Sequence, residues 1–105
     1  MIISILPAAQ GDLRKTKAYV VKNWGKAVWA QTEAEVFSAF DRVHANPAYG
    51  RVVSELAAIN VLNYCQIFTS RHRIVYEPDN GNTFIHIVAG FKQDFQALLM
   101  QRKLG

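Results

Sequence analysis

The sequence has one cysteine, Cys65, among 105 residues. A single thiol cannot build an intramolecular disulfide framework, and it cannot supply a zinc site that needs several thiolates. The chain therefore lacks the composition of a small secreted scaffold. A reducing, cytoplasmic setting is the simplest expectation.

Long apolar runs are also missing. No run approaches the roughly 20 residues that a membrane-spanning helix needs. The apolar start of the chain has no basic segment and reaches Pro7 before the core of a signal peptide could form. We therefore expect no membrane association.

The common chemical motifs are absent as well. The sequence contains no phosphate-binding glycine loop, nucleophile elbow or metal-binding helix. The histidines His44, His72 and His86 stand at no spacing from carboxylates or thiolates that is typical of a metal site or a catalytic triad. We expect neither a metal nor a cofactor.

What the chain does have is enough apolar material for one core. Half of its residues, 50%, are hydrophobic and 19% are charged, which predicts a single domain over residues 1–105. Lys and Arg outnumber Asp and Glu, and the net charge is +4. The basic residues gather toward both ends of the chain and favour a nucleic acid or an acidic partner.

The first half predicts a strand followed by a helical hairpin. Residues 2–6 are mostly β-branched or aliphatic and stop at Pro7, as a short strand would. From about Ala9 apolar residues recur at helical spacing as far as Gly25, and a second helical pattern ends at Asn46-Pro47. Residues 48–62 are ambiguous, with material for one or two helical turns.

The last third predicts three strands and a helix. Strand-like runs cover Asn63–Phe68, Arg71–Glu77 and Thr83–Ala89, and a turn at Asn80-Gly81 joins the last two into a hairpin. Asp94 can cap a short terminal helix. The expected fold is α+β, with the N-terminal strand and helical hairpin packed on a small, mainly antiparallel sheet.

Basic side chains near the predicted sheet are candidates for binding an anionic target. Arg71 opens a predicted strand, and alternation along that strand places it on the same face as Arg73. Such a pair could bind phosphate or carboxylate groups, or it could be a solvated strand end. The full set of candidate target-binding residues is Arg71, His72, Arg73, Lys92, Arg102 and Lys103.

Two other residue types have more ordinary interpretations. Trp24 and Trp29 flank the turn of the helical hairpin, and at helical spacing we expect both to pack in the core. His86 lies inside an apolar strand, where a hydrogen-bonded core histidine is expected more often than a functional one.

The order of these segments resembles the RelE/ParE superfamily of bacterial toxins from type II toxin-antitoxin systems, and the ParE side of it most. The residues that carry the resemblance are Leu6 through Leu13, Tyr19 through Gly25, His72 through Tyr76, and Ile87 through Asp94. RelE-like members cut messenger RNA on the ribosome with basic side chains. ParE-like members inhibit DNA gyrase, and fold alone does not separate the two.

The resemblance implies an incomplete nuclease set in this chain. Arg73 matches an arginine of the RelE-like nucleases, but Phe91 and then Lys92 follow the last strand where those enzymes carry a second arginine. A phosphoryl transition state needs several preorganised donors. We therefore favour a ParE-like gyrase inhibitor with no catalytic residue. The alternatives are a nuclease using Arg73, His86 and Lys92, acting on messenger RNA at the ribosome, or a binding module that is no longer toxic.

The resemblance also implies a cognate, ParD-like antitoxin whose flexible end folds onto the toxin. An acidic segment would suit the basic first helix, and apolar residues of the connector could either extend that surface or close the core. The candidate antitoxin-binding residues are Arg14, Lys17, Val52, Val53 and Leu56.

Overall fold

A computed structural model describes residues 1–104 of the chain. The helices are α1 (Pro7–Trp24), α2 (Lys26–Ala45), the single-turn α3 (Ser54–Ala57) and α4 (Phe95–Arg102). The strands are β1 (Ile3–Ile5), β2 (Arg51–Val52), β3 (Cys65–Phe68), β4 (His72–Asp79) and β5 (Asn82–Gly90).

One mixed sheet contains all five strands in the order β1-β5-β4-β3-β2. The short β1 pairs in parallel with β5, with Ile3 opposite Thr83, and every other pairing is antiparallel. β5 is thus an interior strand, as its continuous apolar run predicts. The α+β prediction, with the helical hairpin after the first strand and a short terminal helix, is confirmed.

The sheet separates two apolar clusters. The first lies between the sheet and the helices α1 and α2, and its members include Ala9, Val36, Phe40, Val43, Ile74, Tyr76, Ile85 and Val88. The second lies on the opposite face, under α3 and α4, and it contains Val53, Leu56, Val75, Ile87, Ala89, Leu99 and Leu104. Both faces of the central strands are therefore covered.

Two turns require residues that tolerate positive φ. Gly25 separates α1 from α2 at φ 92°, a conformation that L side chains rarely adopt. Between β4 and β5 the turn residues Asn80 and Gly81 have φ 50° and 85°, as in the type I′ hairpins that Asn-Gly favours. The hairpin predicted here is confirmed.

The connector contains more structure than its pattern indicates. It holds a 3-10 turn over Pro47–Tyr49, the two-residue strand β2 and the single turn α3. Sequence periodicity cannot show a strand as short as β2, because its pairing with β3 defines it. Within residues 1–104, every helix is too short or too polar to form a membrane span.

Candidate functional site

A half-open groove of about 610 Å³ runs between α1, the start of β4, the end of β5 and α4. Its rim carries the cations Lys15, Arg71 and Lys92 and the aromatic residues Tyr19, Trp24 and Phe91. Asp12 is the one carboxylate in its lining among the described residues. We call this feature the α1–α4 groove.

The aromatic side of the groove is built at the end of α1. Tyr19 and Trp24 meet edge to face, with ring centroids 5.6 Å apart, and each is 53% exposed. The guanidinium carbon of Arg71 lies 5.5 Å from the Trp24 ring centroid, within the range of a cation–π contact. The expectation that Trp24 packs in the core is therefore wrong, whereas Trp29 is buried as expected.

His72, the first residue of β4, contributes a buried imidazole to the groove lining. It is 6% exposed, and its Nδ1 has no hydrogen-bond partner within residues 1–104. Its backbone N–H donates to Thr69 Oγ1 at 3.0 Å, which fixes the turn before the strand. Burial lowers the pKa of His72, and the nearby Glu35 carboxylate opposes that shift only in part.

The turn after β5 forms the other side of the groove. The Phe91 N–H donates to the Arg71 carbonyl oxygen at 3.4 Å, so the end of β5 stays beside the start of β4. The next turn is closed by Gln93, whose side-chain Oε1 accepts from the Gly90 N–H at 2.8 Å. Lys92 lies at the tip of this turn and is exposed. The Arg71 and Lys92 side chains therefore line one groove from opposite segments.

A buried ion pair forms the wall between α1 and α4. The Asp12 carboxylate, 8% exposed, accepts two hydrogen bonds from the Arg102 guanidinium. Asp12 also accepts the Val88 N–H at 3.0 Å, and Arg102 donates to the His86 carbonyl oxygen at 2.9 Å. Most of the positive charge of Arg102 is therefore balanced inside the protein.

Arg73 lies on the opposite face of the sheet from the groove. Its guanidinium donates to both carboxylate oxygens of Glu55, at 3.1 and 2.7 Å, and its Nε donates to Gln66 at 2.5 Å. The same group stacks on Phe95, 3.6 Å from the ring centroid. The expectation that Arg71 and Arg73 share a face is wrong, because Arg71 precedes the strand and turns toward Trp24.

His86 and Glu77 form a separate pair. His86 Nε2 and Glu77 Oε1 are 2.9 Å apart, and the Tyr64 ring meets the imidazole edge to face. A bulge in β5 makes this possible, because Tyr76 pairs with Ile85 and the preceding Val75 pairs with Ile87, leaving His86 as the extra residue. His86 is thus a hydrogen-bonded, half-buried histidine.

The other candidate residues lie outside the groove. Lys103 ends α4 in a left-handed conformation, φ 58°, and is exposed. Arg14 and Lys17 are exposed on α1, and Val52 is exposed on the edge strand β2. Val53 and Leu56 are 0% and 2% exposed and close the second cluster, which was one of the two roles left open from sequence.

Sequence reasoning missed the residues that give the groove its shape. Asp12 falls on the buried side of α1, between Ala9 and Val20, and a carboxylate at such a position signals a buried partner. No comparable signal marks Phe91, whose exposure depends on the turn after β5. Within residues 1–104, no group of His, Cys, Asp and Glu side chains is arranged to hold a metal ion.

The chain matches a known protein family over most of its length. Residues 3–94 fit the family model described as the ParE toxin of the type II toxin-antitoxin system, parDE. The matched region begins at β1 and ends at Asp94, the residue that caps α4. A search of proteins with curated functions gives no match.

Proposed function

Because this chain belongs to the ParE toxin family of type II toxin-antitoxin systems, we propose that it inhibits DNA gyrase in the cytoplasm and is neutralised by a ParD-like antitoxin. Such an inhibitor acts by binding another macromolecule. The α1–α4 groove is the part of the described structure best suited to that role, because exposed cations and aromatic rings converge on it.

The state of Arg73 is the observation that favours inhibition over RNA cleavage. A guanidinium that stabilises charge on a scissile phosphate needs free donors aimed at the substrate. Three N–H groups of Arg73 donate to Glu55 and Gln66, and the guanidinium stacks on the ring of Phe95, so the side chain is held by the protein and is not aimed at a substrate. Since Lys92 lines the groove on the other side of the sheet, these basic residues do not surround one phosphate.

We place the target contacts at Arg71 and Lys92, with His72 in the groove lining. Arg102 supports the wall of the groove through Asp12, so its contribution to target binding is indirect. An exposed, aromatic-supported arginine is typical of the residues that dominate protein interfaces. Lys103 can add only a peripheral charge, because it lies outside the groove lining.

For the antitoxin we propose contacts along exposed α1 and at the free edge of the sheet. Arg14 and Lys17 offer positive charge to an acidic segment, and β2 pairs only with β3, so its outer edge can receive an added strand beside Val52. Val53 and Leu56 can take part only if α3 moves away from the sheet, because both are buried.

A supercoiling assay tests the proposed activity. Purified protein is added to gyrase, ATP and relaxed plasmid, and we expect supercoiling to stop and cleaved DNA to accumulate. The variant Arg71→Ala/Lys92→Gln should inhibit much less. Its matched control, Arg42→Ala/Lys26→Gln, removes the same charges outside the groove and should inhibit like the wild type.

Three results would contradict the proposal. Normal supercoiling at a large excess of folded protein would remove gyrase as the target. Codon-positioned cuts in translated messages, found by primer extension and lost in Arg73→Ala, would instead establish ribosome-dependent cleavage. Harmless overexpression in the absence of any antitoxin would indicate a binding module that is no longer toxic.

A further inference from the structure

We propose that the α1–α4 groove binds a single-stranded polynucleotide directly, with phosphates on its cations and a base on its aromatic rim. The inference goes beyond the proposed function, because it assigns a nucleic-acid ligand to the groove and does not require gyrase to be the target. Binding of a strand is a property of this chain alone, so it can be measured without gyrase.

The charge of the groove suits a polyanion. Lys15, Arg71 and Lys92 stand around it on three different segments, and the carboxylate in the lining, Asp12, is neutralised by Arg102. Glu35, on the neighbouring helix α2, accepts hydrogen bonds from the backbone and hydroxyl of Ser70 and is held by them. Successive phosphates can therefore approach three cations whose charge is not balanced by a carboxylate of the lining.

The aromatic residues make the groove more than a basic patch. Trp24 and Phe91, which line the groove from two different segments, are 53% and 56% exposed. Flat rings that remain exposed beside cations form the stacking platforms on which single-stranded nucleic acids lie. The guanidinium of Arg71, already beside the Trp24 ring, can stack on a base while it contacts a phosphate.

The groove also has the volume that a nucleotide requires. Its volume, about 610 Å³, falls in the range of sites that enclose a molecule of nucleotide size.

An acidic peptide is the competing ligand. It would use the same cations, but its carboxylates carry no flat ring at a fixed short distance from the charge. A nucleotide joins an anion and an aromatic ring in one unit, which matches the pairing of Arg71 with Trp24 at 5.5 Å. The geometry therefore favours the polynucleotide.

Fluorescence anisotropy of a labelled ten-nucleotide thymidine oligomer tests the inference, with the full chain and without gyrase. We expect saturable binding that weakens as salt is added. A plot of the logarithm of the association constant against the logarithm of the salt concentration should have a slope of about −2, which corresponds to about three phosphate contacts. Arg71→Ala/Trp24→Leu should weaken binding about tenfold or more and reduce the slope by about 0.7. A parallel titration with a labelled ten-nucleotide uridine oligomer compares the affinity for RNA with the affinity for DNA.

The chain offers a closely matched control. Arg42 lies over the exposed ring of Tyr49, 5.2 Å from its centroid, and neither residue lines the groove. Arg42→Ala/Tyr49→Leu should therefore bind like the wild type. Absence of oligomer binding, equal loss in both double variants, or displacement of the oligomer by an equal concentration of polyglutamate peptide would overturn the inference. If oligomer binding holds while gyrase is not inhibited, the inference stands and the proposed function fails.

Discussion

Asp12 and Arg102, 90 residues apart in the sequence, complete the hydrogen bonding of one strand edge. β1 pairs with β5 only from Thr83 to Ile85, so the following groups on that edge have no strand partner. The Asp12 carboxylate accepts the Val88 N–H, and the Arg102 guanidinium donates to the His86 carbonyl oxygen. The ion pair thus makes the hydrogen bonds to β5 that a longer β1 would make, and it links α1, β5 and α4.

Removal of this pair should destabilise the fold strongly. Asp12→Ala leaves a buried guanidinium and an unpaired Val88 N–H, and we expect the free energy of unfolding to fall by about 3–5 kcal/mol. Urea unfolding followed by circular dichroism measures the change. Asp41→Ala, at an exposed position on α2, should change the same quantity by no more than about 0.5 kcal/mol. Equal effects of the two substitutions would contradict the structural role of Asp12.

Arg73 should be a stabilising residue rather than a catalytic one. Lysine lacks the planar guanidinium that donates in a fixed fork to Glu55 and Gln66 and stacks on Phe95, so Arg73→Lys should lower the free energy of unfolding by about 1–2 kcal/mol. Gyrase inhibition at 25 °C should be retained, because the side chain lies away from the groove. Loss of inhibition in a variant that is still folded would contradict this assignment.

Tyr76 should stabilise the connector through its hydroxyl. The hydroxyl donates to the Pro47 carbonyl oxygen at 2.7 Å and accepts the Gly50 N–H at 3.0 Å. Burial raises the pKa of Tyr76 to about 12, so the hydroxyl keeps its proton at neutral pH. Tyr76→Phe leaves both backbone groups without this partner and should cost about 1–3 kcal/mol. Thermal unfolding checks this, with the exposed Tyr49→Phe expected to be nearly neutral.

His72 should make stability depend on pH below its ordinary titration range. Burial holds its pKa below 6.5 in the folded chain, so the unfolded chain takes up the proton first as the pH falls. Stability from this residue is therefore fully present above pH 6.5 and is lost as the pH falls toward the folded pKa. In urea titrations between about pH 5 and pH 7, His72→Gln should show a shallower dependence than the wild type. Parallel curves would contradict the prediction.

The elements that were predictable are those with strong local patterns. The apolar periodicity of α1 and α2 and the glycine between them describe a helical hairpin without any tertiary information. The Asn80-Gly81 turn in the same way fixes the register of β4 against β5 as far as Tyr76 and Ile85, beyond which the bulge at His86 shifts it. By contrast, β2 has two residues and exists only through its pairing with β3, so no local pattern could reveal it.

The candidate site was predicted only in part. The basic residues that line the groove were identifiable as cations, and Arg71, His72 and Lys92 do meet there. Their surroundings were not identifiable. Whether an arginine is free or paired depends on groups far away in sequence, and Arg73 and Glu55 are separated by 18 residues. The exposure of Trp24 likewise depends on how α1 lies against the sheet.

The sequence by itself determined the order of the main helices and of the strands other than β2, the position of two turns and the excess of positive charge, because each depends on neighbouring residues or on composition alone. Only the tertiary structure decided which cations stay available. Packing places Asp12 beside Arg102 and Glu55 beside Arg73. These partners are distant in sequence, and because a buried charge is costly unless it is paired, only the fold determines which charges are paired. The Arg71 guanidinium instead packs over the ring of Trp24, which does not neutralise its charge, so the groove that it lines remains positively charged.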